Sequence, residues 1–111
     1  MKLGAAGAKV IRVATATPPP GLDLPAVLRA LAEKGITRLL VEGGARVASS
    51  FVAAGFVDEV WLLCGAEPVG ADGVAALGAL PLTAITQSPN FRVRASQSLQ
   101  KDTLTIYERA A

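Results

Sequence analysis

A carboxylate followed by two glycines is the part of this 111-residue chain best suited to chemistry. Glu42 comes directly after the apolar run 39–41, and Gly43 and Gly44 separate it from a segment with helical spacing. This pattern predicts a strand, a tight turn and the first turn of a helix. The first N–H groups of a helix lack internal partners and lie at the positive end of its dipole. Because glycine has no Cβ atom, a phosphate or pyrophosphate can approach such a backbone closely.

Two interpretations of Glu42 stay open on the residues alone. At the carboxyl end of a strand it would lie at the mouth where open α/β sheets hold their ligands, and it would accept hydrogen bonds from a bound heterocycle. It fits equally well as a charge that interacts with the helix dipole, worth roughly a few tenths of a kcal/mol. The Gly43-Gly44 pair lacks the third glycine of a dinucleotide fingerprint and the ending of a P-loop, so it also fits a tight turn without a ligand.

Three polar residues, Arg46, Ser49 and Ser50, fall in the first two turns of the predicted helix. They could contact a phosphate or face solvent, and the second interpretation is favoured for Ser50. Asp58 and Glu59 resemble a pair of catalytic carboxylates, but strand alternation points neighbours to opposite faces, which favours a structural role.

Three further residues are predicted to lie in the core. Cys64 has no histidine or CxxC partner and is interpreted as a small core residue. Trp61 and Phe51 are interpreted as core aromatics rather than recognition residues.

The composition excludes several classes of function. The sequence has no histidine, which removes the usual metal ligand, the usual general base and every Ser-His or Cys-His nucleophile. The single cysteine forms no internal disulfide, so a cytoplasmic location is expected. A net charge of +2 with scattered basic residues and few aromatics is not typical of nucleic-acid binding. No apolar run approaches the roughly 18 residues of a membrane span, so no membrane partner is expected.

Periodicity and capping residues predict the elements that position these groups. Asp23 is a predicted N-cap and Pro25 fits the first turn of a helix, which Gly35 ends; Gly55 ends the next helix. Residues 1–8 are interpreted as the end of a helix. The predicted helices are 24–34 and 45–54, and the predicted strands are 8–14, 36–41 (buried on both faces), 57–63, 82–87, 91–98 and 103–107. This order predicts an α/β domain with a mixed sheet, flanked by helices and completed by antiparallel strands at its C-terminal end.

Several motifs of this chain resemble those of a known family. They are Gly35-Ile36 leading into Leu39-Leu40-Val41-Glu42-Gly43-Gly44, then Ala54-Gly55-Phe56-Val57-Asp58-Glu59-Val60, the spaced Pro68, Gly70 and Asp72-Gly73, and finally Asp102-Thr103-Leu104 with Tyr107-Glu108-Arg109. Together they resemble the C-terminal reductase domain of the bifunctional riboflavin-biosynthesis deaminase–reductase, which has a dihydrofolate-reductase-like fold. The resemblance implies an enzyme that uses NADPH to reduce the ribosyl group of a pyrimidine ribosyl phosphate to ribityl.

The resemblance also implies roles for individual residues. Glu42 corresponds to the residue that contacts the pyrimidine substrate. The segment that holds the NADPH phosphates corresponds to Gly43, Gly44, Ala45, Arg46, Val47, Ala48, Ser49 and Ser50. Hydride transfer depends mainly on the relative positions of cofactor and substrate, so the absence of histidine is compatible with it.

Residues 1–111 correspond to the C-terminal part of that domain, without its N-terminal half. A sheet missing neighbours would expose an edge and an apolar face, so a homodimer is expected. Two alternatives to the reductase stay open: a non-catalytic half-domain that keeps the fold and associates with itself, and a nucleotide-binding module without chemistry.

Overall fold

A computed structural model describes residues 2–110 of the chain. The chain divides into two compact units, residues 1–40 and residues 41–111, which are described separately. The elements in chain order are α1 (Lys2–Ala5), α2 (Leu24–Glu33), α3 (Ala45–Ala53), β1 (Glu59–Cys64), α4 (Thr83–Thr86), β2 (Phe91–Leu99) and β3 (Asp102–Arg109). None of these helices has the length and apolar character needed to span a membrane.

In the first unit, α2 begins where the sequence predicts. The Oδ2 atom of Asp23 accepts a hydrogen bond from the N–H of Ala26 at 3.1 Å, and Pro25 lies in the first turn. An aspartate N-cap satisfies an amide that has no helical partner, and proline costs nothing at a position where no amide is needed. Before the helix, a loop is closed by the N–H of Ala16, which donates to the carbonyl of Gly21 at 2.8 Å.

Both longer helices end at the predicted glycines. Gly35 has φ +83° and Gly55 has φ +76°, a left-handed conformation that glycine adopts without a Cβ penalty. After α2, the N–H groups of Gly35 and Ile36 donate to the carbonyls of Ala32 and Leu31 at 2.9 and 3.2 Å. This double closure is the Schellman motif, and it satisfies carbonyls that the helix itself leaves unpaired.

In the second unit, α3 packs on one face of a three-stranded antiparallel sheet with the strand order β1-β3-β2. The three strands confirm the predictions for 57–63, 91–98 and 103–107. The buried cluster consists of Leu77, Ile85 and Tyr107, against which pack the half-buried Ala48, Val52, Val60, Leu62, Leu80 and Phe91.

Two predicted strands do not form in the described part of the chain. Residues 8–14 and 36–41 belong to no strand, and near the first of them only an isolated bridge joins Thr15 to Leu22. Leu40 is 78% exposed, so the prediction that 36–41 is buried on both faces is wrong. β-Branched and apolar residues favour an extended chain, but a strand also needs a hydrogen-bonded neighbour. The sheet of residues 2–110 is therefore antiparallel rather than mixed.

The predicted strand 82–87 is instead the short helix α4. Its backbone bonds are local, since the N–H of Ile85 donates to the carbonyl of Leu82 at 2.9 Å. Ile85 is buried and Leu82 is exposed. The segment therefore contributes the side chain of Ile85 to the core from a helical turn, whereas a strand would bury every second residue.

Two of the three predicted core residues are exposed. Phe51 is buried as predicted, whereas Trp61 is 62% exposed and Cys64 is also exposed. Val60 and Leu62 occupy the core side of β1, and neighbouring strand residues point to opposite faces. Trp61 must therefore lie on the other face. Cys64 is the last residue of β1.

Arg109, the last residue of β3, holds the turn that follows α3. Its Nη2 atom donates to the carbonyls of Gly55 and Val57 at 2.8 and 2.9 Å and lies 3.2 Å from the Oδ1 atom of Asp58. The Asp58 side chain is 91% exposed, so its part in this arrangement is a surface ion pair.

Replacing Arg109 by methionine is expected to lower the free energy of unfolding by about 1–2 kcal/mol, because two carbonyls lose a charged donor while the apolar stem is kept. Urea denaturation followed by circular dichroism measures the change. The matched control is Arg92→Met, since Arg92 is more exposed and its ion pair with Glu108 is a surface pair worth about 0–1 kcal/mol. An equal loss in both variants would contradict the special role of Arg109.

Candidate functional site

The start of α3 is the centre of the candidate site. Gly44 is the N-cap residue, and its carbonyl accepts the first helical hydrogen bond from the N–H of Ala48 at 2.9 Å. No side chain caps this helix end. The amides of the first turn therefore depend on water or a ligand, and they lie at the positive end of the helix dipole.

The two glycines of the turn have different requirements. Gly43 has φ +120°, which favours glycine on conformational grounds. Gly44 has φ −61° and ψ −171°, which any residue adopts. The peptide bond between them is cis. A Cβ atom added at Gly44 would meet no atom within 4 Å, so the missing side chain leaves open space beside the helix start.

Glu42 is exposed and lies immediately before this turn. The sequence predicts it at the carboxyl end of a parallel strand, but no strand forms over residues 36–44. Its place next to the helix start comes instead from the short connection through Gly43 and Gly44. A solvent-exposed carboxylate at this position can accept hydrogen bonds from donor groups of a ligand.

The eight residues predicted to bind the cofactor divide into two groups in the structure. Arg46, Val47 and Ser50 are exposed on α3, as are the two glycines before it. The Oγ atom of Ser50 donates to the carbonyl of Arg46 at 2.9 Å. The other three residues, Ala45, Ala48 and Ser49, are half-buried or buried.

Ser49 holds a distant loop against the start of α3. Its side chain is almost fully buried, and its Oγ atom accepts a hydrogen bond from the N–H of Gly78 at 2.7 Å. The same N–H also donates to the carbonyl of Ala45 at 3.1 Å. The hydroxyl of Ser49 is thus engaged within the protein, which gives this residue a structural role in addition to the predicted contact with a ligand.

Sequence reasoning did not identify Gly78 as part of this site. The available signal was a glycine among small residues directly after Leu77, which is buried in the core. A buried leucine brings the following backbone close to a helix, and a small residue then fits there. A Cβ atom at Gly78 would lie 3.5 Å from the amide nitrogen of Arg46, which is ordinary contact distance.

An open cleft of about 450 Å³ runs along this part of α3. Its walls include Arg46, Ser49 and Ser50 from the helix and Gly78 and Leu80 from the loop. The guanidinium of Arg46 gives the cleft one positive charge, whereas the hydroxyls of Ser49 and Ser50 are hydrogen-bonded within the protein. Within residues 2–110 there is no group of three or more Cys, Asp or Glu side chains that could hold a metal ion.

A glycine turn before an uncapped helix start is a backbone arrangement that can bind a phosphate group. Residues 4–105 match the family model of the RibD C-terminal domain, and the chain belongs to this family. The resemblance inferred from the sequence motifs is confirmed by this match.

A curated relative gives the same result. The chain is 30% identical over 89 residues to the riboflavin biosynthesis protein RibD of Aquifex aeolicus (strain VF5). The aligned region is 80% of this chain and 24% of that relative. The chain therefore spans about a quarter of the length of the protein that it matches.

Proposed function

We propose that this chain is part of an NADPH-dependent reductase of riboflavin biosynthesis. Its reaction would convert 5-amino-6-(5-phosphoribosylamino)uracil into the corresponding ribitylamino compound. Membership of the RibD C-terminal domain family supports this assignment. The observation that carries it in the structure is the open, uncapped backbone at Gly44.

The start of α3 fits the phosphates of NADPH. Gly44 leaves space for a phosphate to reach the amides of the first turn, and the exposed guanidinium of Arg46 adds a positive charge beside them. The proposed cofactor segment consists of Gly43, Gly44, Ala45, Arg46, Val47, Ala48, Ser49 and Ser50. Within it, Ser49 also supports the adjoining loop through Gly78.

Glu42 is the proposed contact to the pyrimidine ring of the substrate. Its carboxylate is exposed beside the turn and would accept hydrogen bonds from N–H groups of the heterocycle. The short Gly43-Gly44 connection keeps this carboxylate close to the cofactor segment, which suits a reaction between two ligands held side by side.

The bound cofactor would supply a hydride to the ribosyl carbon, the ring oxygen released from that carbon would take a proton from water at this exposed site, and the chain would supply position. Glu42 would orient the substrate and the α3 start would fix the cofactor, so that the reacting atoms are held in contact. Such positioning provides a large part of the rate in reactions of this type. No histidine or metal is required for these roles.

We also propose that the chain forms a symmetric homodimer and acts in the cytoplasm. Large exposed apolar side chains, including Trp61 and Leu63 in the sheet, support self-association. The biosynthetic family and the single cysteine support the cytoplasmic location.

Calorimetry with NADPH, followed by an assay of NADPH oxidation with the pyrimidine ribosyl phosphate, tests the proposed reaction. The longest natural protein that contains these residues is expected to bind NADPH saturably and to oxidise it only when the pyrimidine substrate is present. Binding without oxidation would replace the reductase with a nucleotide-binding module. An absence of binding would favour a non-catalytic half-domain.

A further inference from the structure

A backbone amide that is distant in sequence is hydrogen-bonded to the first two turns of α3. The N–H of Gly78 donates to the carbonyl of Ala45 at 3.1 Å and to the Oγ atom of Ser49 at 2.7 Å. Ala45 and Ser49 lie about one helical turn apart. The loop that contains Gly78 is therefore attached to two points of the same helix by a single amide.

The hydroxyl of Ser49 is engaged in this contact, and little of it is open to a ligand. Only 4% of the surface of Ser49 is exposed. A buried hydroxyl is unfavourable unless it is hydrogen-bonded, and the amide of Gly78 supplies the bond. The neighbouring Ser50 is exposed, and its hydroxyl donates within the helix to the carbonyl of Arg46. Ser49, in contrast, joins the helix to another segment.

The backbone at residue 78 lies directly beside the peptide group that joins Ala45 to Arg46. A Cβ atom at Gly78 would be 3.5 Å from the amide nitrogen of Arg46 and 3.6 Å from the carbonyl carbon and oxygen of Ala45. The loop thus contacts one particular peptide group of α3, and it donates its hydrogen bond to the oxygen of that group.

This peptide group has two ends that act together. Because it is planar, a contact that orients the carbonyl of Ala45 also orients the N–H of Arg46. Arg46 is the second residue of α3, so its amide has no helical partner and is directed toward the helix start, where Gly44 leaves open space. A hydrogen bond accepted by the carbonyl also polarises the peptide and strengthens the donor at its other end.

We infer that Ser49 is a positioning residue of the proposed cofactor site. It holds the amide of Gly78 on the carbonyl of Ala45, and this contact sets the direction in which the N–H of Arg46 meets a phosphate of NADPH. The inference rests on the proposed function and states how Ser49 contributes to it, through the backbone and without touching the cofactor.

The first test needs no ligand. The longest natural protein that contains these residues is labelled with isotopic nitrogen in its arginines, and the amide resonance of Arg46 is identified by its absence in Arg46→Lys. Ser49→Ala is expected to move this resonance by more than its line width, because the amide of Gly78 loses one of its two acceptors. An unmoved resonance would overturn the inference. Circular dichroism checks that the variants remain folded.

Val52→Ala is the matched control for this experiment. Val52 lies on α3 outside the proposed cofactor segment and packs against the buried cluster. Its truncation lowers the stability of the helix in the fold without removing the contact to Gly78. The resonance of Arg46 is expected to stay in place, and an equal movement in both variants would contradict a specific role of Ser49.

Calorimetry with NADPH measures the consequence for the ligand. Ser49→Ala is expected to raise the Kd of NADPH by about threefold to tenfold, since a charge-assisted bond to phosphate is misdirected rather than lost. Val52→Ala is expected to bind within about twofold of the wild type. Equal losses in the two variants would trace to helix stability and overturn the inference. A loss in Ser49→Ala with an unmoved Arg46 resonance would make Ser49 a direct contact, which also overturns it.

Inorganic pyrophosphate separates this inference from the reductase proposal. If the wild type binds no NADPH, the reductase proposal fails, and the Arg46 resonance is followed during addition of pyrophosphate instead. A response that is larger in the wild type than in Ser49→Ala supports the positioning role toward a phosphate group. An absent response, or an equal one in both proteins, overturns the positioning role as well.

Discussion

Replacing Gly44 by valine is expected to weaken NADPH binding by at least about tenfold. The new side chain would fill the open space beside the first amides of α3, where the proposed phosphate must approach. Loss of one charge-assisted hydrogen bond is worth roughly 1.5–3 kcal/mol, and about 1.4 kcal/mol corresponds to a factor of ten. Calorimetric titration with NADPH measures the change.

Gly44→Ser is the matched variant for this experiment. Serine is a good N-cap and valine a poor one, so the two differ in their effect on α3 while both place a Cβ atom in the ligand space. We expect both to lose affinity, and only the valine variant to lose helix stability. Wild-type affinity in the serine variant would mean that the turn is structural and that the assigned cofactor segment is wrong.

Replacing Glu42 by glutamine is expected to reduce kcat/KM for the pyrimidine substrate by about tenfold to a hundredfold. The amide has almost the same shape but loses the charge that strengthens hydrogen bonds to the heterocycle. NADPH affinity should remain within about twofold of the wild type, because the amides of α3 and Arg46 are untouched.

Glu67→Gln provides the control, since Glu67 is also an exposed carboxylate and belongs to the loop after β1. It removes the same charge from the chain without altering the turn. Equal activity of the Glu42 and Glu67 variants would assign Glu42 to a charge near the helix dipole, the alternative that the sequence left open.

The helices of this chain could be predicted from residues that act locally. Asp23 caps α2 through a bond three residues away, and Gly35 and Gly55 end the two longer helices in the left-handed conformation. Such signals depend on a few neighbouring residues, so they are visible in one sequence. Strands β2 and β3 have a similar local signal, because only a short turn joins them, whereas β1 pairs with β3 much later in the chain.

The wrong strand predictions have a common physical origin. Ile36 and Leu40 belong to an apolar run typical of a buried strand, but both are exposed and no strand pairs with this run in residues 2–110. Pairing depends on the rest of the fold, which the composition of a short segment does not specify. Trp61 shows the same limit, because strand alternation decides that it faces away from the core while its size favours burial.

The candidate site was predicted as a continuous segment, and the structure adds what lies beside it. Residues 42–50 carry the turn and the helix start in sequence order, so their proximity required no knowledge of the fold. The contact between Ser49 and Gly78 spans 29 residues and depends on the burial of Leu77. A long-range contact of this kind leaves little trace in either segment alone.

Through that contact, hydrogen exchange at the amide of Gly78 should depend on whether a ligand is bound at the start of α3. Its proton is shared between the hydroxyl of Ser49 and the carbonyl of Ala45, so it exchanges with solvent only when the loop leaves the start of α3. A ligand that stabilises the helix start should therefore slow deuterium uptake at residue 78, although the residues that would contact the ligand lie about 30 positions earlier in the chain. In Ser49→Ala the same amide should exchange faster, and its rate should respond less to NADPH.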